Sequence, residues 1–114
     1  MADPTDLTVQ TVTSTAAKLT FTDADTTNAN RYKNTGREVL ECVNGGSSSA
    51  TVMVATGATF NGLALGDHTI TLAAGERFHG IYQRTDIYND ANGYTVLTAG
   101  GDGAADIDYA VYKY

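Results

Sequence analysis

His68-Thr69-Ile70-Thr71-Leu72-Ala73-Ala74-Gly75-Glu76-Arg77-Phe78-His79-Gly80-Ile81 holds two strand-length segments divided by an Ala74-Gly75 turn signal. In the first segment Ile70 and Leu72 fall on one side with His68, and Thr69 and Thr71 fall on the other. That is the period-two alternation of a half-buried strand. Residues 39–43, 51–55, 94–98 and 107–112 have the same length and the same β-branched and aromatic character, which suits a pleated surface. Between the segments lie turn formers: Asn34-Thr35-Gly36, Asn44-Gly45-Gly46, Leu65-Gly66-Asp67 and Asn89-Asp90-Ala91-Asn92-Gly93. Short strands spaced by turn signals predict an all-β fold: a single antiparallel β-sandwich, jelly-roll-like, of about eight strands.

Other stretches fill in that outline. Leu19-Thr20-Phe21-Thr22 alternates, which predicts Leu19 and Phe21 inward. Residues 38–43 are apolar on both faces near the middle and read as a central strand, with residues 50–56 as its hairpin partner. Residues 94–98 and 107–112 close the sheet system across the Gly-rich connection 99–105. Helix is confined to one short piece within residues 87–91. Residues 1–17 are expected to form an extended N-terminal arm and first strand, and residues 18–114 the sandwich domain.

Composition sets the function classes. At 114 residues and 42% hydrophobic, the chain has material for one packed core and too little for two. The net charge of −6, with seven scattered basic residues, argues against nucleic acid as a partner, since phosphate binding needs clustered Lys and Arg. Arg31, Lys33 and Arg37 form the only local basic grouping. Cys42 is the sole cysteine, so no intramolecular disulfide forms, and its apolar neighbours predict a buried, inert thiol. No apolar run approaches the roughly 20 residues of a membrane span. The first residues lack the basic and apolar regions of a secretory signal, so synthesis and retention in a cytoplasmic compartment are expected unless an assembly carries the protein out.

Chemistry-bearing patterns are weak. Asp23-Ala24-Asp25-Thr26-Thr27-Asn28-Ala29-Asn30 superficially resembles a calcium loop, but the sixth and twelfth positions are Asn28 and Asn34 where Gly and Glu are needed. Asx turns account for the segment as well. Asp106 and Asp108 share a strand face, with Asp102 nearby, and read as a solvated face rather than a cation site. His68 and His79 have no His or Cys three to five residues away. Ser47, Ser48 and Ser49 form a turn, and nothing pairs them or Cys42 with a base. The expectation is a protein that is not an enzyme and holds no metal or cofactor. The aromatics are more suggestive: six of seven Tyr fall between Tyr82 and Tyr114. Tyr joins apolar area to a polar tip, which suits interfaces and sugar-stacking platforms.

Asn30-Arg31-Tyr32-Lys33-Asn34-Thr35-Gly36-Arg37-Glu38-Val39-Leu40-Glu41-Cys42-Val43-Asn44, followed by Ser49-Ala50-Thr51-Val52-Met53-Val54, resembles a pattern of small virion proteins encoded among the head genes of tailed phages. His68-Thr69-Ile70-Thr71-Leu72-Ala73-Ala74-Gly75-Glu76-Arg77 is similar to a second segment of that family, and the resemblance covers roughly residues 18–114. Tyr32 stands where the family has Phe, and Ala73 where it has Pro. The resemblance implies a capsid decoration, or cement, protein without catalytic residues. Such a protein is made in the host cytoplasm and docks on the outer capsid surface.

Its expected partners are the major capsid protein and copies of itself, with trimers at local three-fold axes as one arrangement, and neither nucleic acid nor membrane. The contact residues expected are Leu7 and Val9 in the arm and Tyr109, Tyr112 and Tyr114 at the Tyr-rich end. Two other readings use the same scaffold. One is a carbohydrate-binding or host-attachment module that stacks sugars on Tyr. The other is a head–tail or tail subunit.

Overall fold

The computed structural model describes residues 4–12, 19–56, 59–60, 63–64 and 66–113. The chain is all-β. Its strands are β1 (Thr5–Asp6), β2 (Val9–Thr11), β3 (Thr22–Asp23), β4 (Asn30–Lys33), β5 (Val39–Asn44), β6 (Ala50–Val54), β7 (Thr59–Phe60), β8 (Leu63–Ala64), β9 (His68–Leu72), β10 (Arg77–Ile81), β11 (Tyr94–Gly100) and β12 (Ile107–Lys113). Helix is limited, among the described residues, to one turn, α1 (Thr85–Tyr88), and a 3-10 turn over Ala104–Asp106.

Two mixed sheets carry the fold. Sheet A has the order β1-β4-β11-β6-β9, and sheet B the order β10-β5-β12-β2, with β3 also on β12. One hydrophobic cluster takes Tyr32, Val52, Val54 and Leu97 from sheet A and Leu40, Cys42, Tyr109 and Val111 from sheet B. Alternation explains the partition. Ile107, Tyr109 and Val111 of β12 point into the cluster, while Asp108 and Tyr112 are only half-buried on the other side. Cys42 is fully buried, and burial pushes its thiol up to about 12, with the Glu41 charge adding to the shift. It is an inert core residue.

Several expectations require correction. The sheets are not purely antiparallel: β1 lies parallel to β4, and β2 parallel to β12. Residues 5–11, within the stretch expected as an arm and first strand, supply one short strand to each sheet rather than a single strand, and the expected boundary at 17/18 lies outside the described residues. Strands β5 and β6 do not form a hairpin. Asn44 folds the 45–49 link back on itself, and the chain crosses to the other sheet. Phe21 is 37% exposed rather than inward, because the ladder begins only at Thr22. The helical turn starts at Thr85, ahead of the expected residues 87–91.

Two buried asparagines fix the ends of β5. Asn34 accepts the Gly36 N–H on Oδ1 at 2.8 Å and donates from Nδ2 to the Tyr82 carbonyl and the Thr95 hydroxyl, each at 2.9 Å. Asn89 closes the knot, donating to the Asn34 carbonyl and accepting from the Thr95 hydroxyl. Gly36 has φ +91°, and a Cβ there would stand 3.3 Å from the Gln83 carbonyl oxygen, so the turn requires glycine. Asn44 repeats the device. It accepts the Gly46 N–H at 3.1 Å and donates to the carbonyls of Ser48 and Leu72. Buried amides with their partners in place cost little, whereas removing one strands several groups at once. Beside the first knot Glu38 is buried. Burial raises its carboxyl, but hydrogen bonds from the Thr35 N–H, the Thr35 hydroxyl and the Arg37 N–H win and hold it below the usual range.

Candidate functional site

The outer face of sheet B follows from register. Arg77 on β10 pairs with Val43, His79 with Glu41, and Ile81 with Val39. Those β5 residues face Asp108, Ala110 and Tyr112 of β12. The face therefore has three rows, closed at one end by Gln10, opposite Tyr112, and at the other by Asp23, opposite Asp108.

Its middle row is unusual. Glu41 points outward from the sheet, yet only 4% of the residue is exposed. Ala110 beside it is too small to cover it, so the cover comes from β10. Arg77 Nη1 lies 3.1 Å from Glu41 Oε1, and His79 Nδ1 lies 3.8 Å from Oε2. Both partners keep more than half of their side chains in solvent. A buried carboxylate under an exposed guanidinium fixes the position of that guanidinium on the surface.

One flanking row is largely apolar, and the other mixes Val43 with Arg77, Asp108 and Asp23. Ile81 is 48% exposed beside half-buried Val39 and Tyr112. At the other end Phe21, Val43, Arg77 and Asp108 line a shallow cavity of about 180 Å³. Asp108 faces Asp23 across the strands. Burial pushes its carboxyl up to about 6, helped by the hydrogen bond with Asp23 and by the charges of Asp23 and Asp106. Among the described residues no group of three His, Cys, Asp or Glu side chains is arranged to hold a metal ion. The 23–30 segment is built by Asx bonding: Asp25 Oδ1 accepts the N–H groups of Thr27 and Asn28, and Asn30 Oδ1 accepts that of Asp25.

The outer face of sheet A differs. Tyr94 lies under two cations, with the Arg31 guanidinium carbon 4.2 Å and the Lys33 ammonium 5.0 Å from the ring centroid. Arg31 also pairs with Asp6 at 2.6 Å, and Lys33 donates to the Asn92 carbonyl. Two of the three residues in the basic grouping are thus engaged with a tyrosine. Tyr82 and Tyr88 meet edge-on at 64°, with centroids 4.7 Å apart, rather than as parallel plates. Toward β9 the same face carries Thr98, Met53, Thr51, Thr69 and Thr71, with Met53 39% exposed.

The expected contact residues separate. Leu7 is 6% exposed and Tyr109 1%, so neither side chain is available to a partner in this fold. The reason is geometric. Leu7 links β1 to β2 and drops between the sheets, while Tyr109 takes the inward position of β12. Val9 packs against the same core. Tyr112 does reach the outer face of sheet B, and Tyr114 lies outside the described residues. Sequence reasoning missed Ile81 and Glu41 as surface features. The cross-strand register that groups them comes from residues more than thirty positions apart.

Comparison of the chain with protein-family models, with curated proteins and with solved structures returned no match.

Proposed function

We propose that the chain is a structural virion protein that binds the outer surface of a phage capsid lattice and stabilises the head, through the outer face of sheet B. The observation that carries this reading is that face itself. Exposed Ile81 and Phe21 flank the fixed Arg77–Glu41–His79 group, with Val39, Val43 and Tyr112 filling the rows between. Apolar anchors around an oriented charge are what a protein interface uses. The resemblance to small head-associated virion proteins supports it too: its Asn34-x-Gly36 turn and its Asn44 position sit at the two ends of β5, the strand at the centre of the face.

A jelly-roll-like description belongs to the same proposal. From β4 to β12 the chain changes sheet at every link except that from β6 to β9, which contains the small β7–β8 hairpin. The partners are the major capsid protein and other copies of this chain, and the working location is the outside of the virion. No helix among the described residues is long and apolar enough to cross a membrane. Repetition over the shell makes modest affinity at each site sufficient.

The test mixes purified protein with expanded capsids that lack it, followed by sedimentation. Saturable co-sedimentation by the native chain, lost in Ile81→Glu with unchanged circular dichroism, is the expected result. Absence of binding, together with retention on a glycan array, replaces the proposal with the carbohydrate-binding reading.

A further inference from the structure

We infer that the open edge of sheet A is a self-recognition site, at which β9 of one molecule pairs antiparallel with β9 of a second copy. Among the described residues no strand pairs with the outer edge of β9, the last strand of sheet A. An open edge presents a row of backbone donors and acceptors, which folded proteins ordinarily guard with charge, proline, a bulge or brevity. Strand β9 has none of these. It runs five residues as His68-Thr69-Ile70-Thr71-Leu72, in unbroken register with β6, and carries no Asp, Glu, Lys or Arg. The opposite edge is guarded: β1 is two residues long, follows Pro4 and includes Asp6.

The occupant is identified by self-complementarity. Inward and outward residues must match across the new ladder, because a one-residue slip would turn the apolar set to solvent. Full overlap of two β9 strands meets this condition with Ile70 facing Ile70 of the second copy at a two-fold axis. His68 then faces Leu72, and Thr69 faces Thr71. On the inner side Ile70, only partly buried against the core, gains an apolar neighbour across the axis. On the outer side the pairs are Thr with Thr, a favourable cross-strand combination.

Charge does not oppose this contact in a chain of net charge −6, since the nearest acid, Asp67, falls opposite Ala73. The pairing is isologous and closes at two copies. It also joins the two A sheets into one, so both outer B faces look the same way. This inference does not rest on the capsid reading and needs no capsid to be tested.

The experiment measures mass by sedimentation equilibrium across a concentration series of the full chain. The native protein is expected to approach twice the 12.0 kDa chain mass. Thr69→Lys with Thr71→Lys sets ammonium groups against each other at both outer pairs and is expected to give the chain mass at all concentrations. Thr69→Lys with Thr71→Glu places opposite charges across the axis and is expected to restore the pair. Both positions are exposed, and circular dichroism checks the fold of each variant. A native chain that stays at the chain mass overturns the inference, as does an oligomer that the double-lysine variant leaves intact.

Discussion

The two long sides of this molecule are finished differently. On one side the N-terminal segment lays β1 along sheet A and β2 along sheet B, with Leu7 at the crossing, and β3 joins beside it on β12. On the other side the chain passes from β9 to β10 through residues 73–76, and both strands end their sheets without a described neighbour. The closed side is made of strands of two or three residues that could not stand alone, so side chains add to their short backbone ladders. Gln10 shows how: its amide donates to the Thr20 carbonyl and accepts the Thr20 N–H, both at 2.8 Å, standing in for a strand neighbour. The open side consists of regular five-residue strands held on one edge only. The first side is closed by short strands laid on β4 and β12, and the second leaves the outer edges of β9 and β10 without a described strand partner.

Leu7→Ala tests that contrast with the largest effect. It removes a buried crossing residue and is expected to cost about 2–3 kcal/mol in denaturant unfolding. Ile70→Ala on the open side, a half-buried position, is expected to cost about 1 kcal/mol. Equal losses would erase the distinction.

Asp108 sharpens the comparison in the opposite direction, since the closed side carries an electrostatic penalty. Its folded carboxyl titrates near 6, above the ordinary 3.8, so the folded state holds an extra proton between those values. The contribution of this group to stability is therefore greatest below about pH 4, falls as pH rises through that window, and is lost above pH 6. Asp108→Asn is expected to raise stability at pH 7 by about 1 kcal/mol after discounting for partial solvent access, and to gain nothing at pH 4. Thermal melts of both proteins across this range make the measurement. A gain that does not depend on pH would mean packing, not charge, is responsible.

Gln10→Ala is the smallest of the set. The bonds it loses are exposed, so about 0.5–1 kcal/mol is expected, with faster amide exchange confined to Thr20 and its neighbours. Exchange spreading to β9 would show that the two sides are not independent.

The strands on the open side were legible residue by residue. His68–Leu72 and Arg77–Ile81 begin and end where alternation and the Ala74-Gly75 turn put them. The interior place of β5 was legible too, from Val39, Leu40, Cys42 and Val43, whereas Glu41 on its outward face gave no such sign. The closed side was not. Val9-Gln10-Thr11 is too short for a period to register, and its parallel partner lies about a hundred residues away. The Gly-Ser link after Asn44 suits a hairpin and a crossing equally, and the choice lies in Asn44 bonding to Ser48 and Leu72. The candidate face escaped for a related reason: Glu41 is covered by Arg77 and His79, residues whose proximity only the β5–β10 ladder establishes.

The most direct test of the docking account is a cryo-EM reconstruction of expanded capsids decorated with the native chain, at a resolution that distinguishes the two sheets. The account predicts regularly spaced density in which the outer face of sheet B meets the shell, with Ile81 and Phe21 at the contact. Density meeting the shell through the threonine face of sheet A, or undecorated shells at saturating protein, would contradict it.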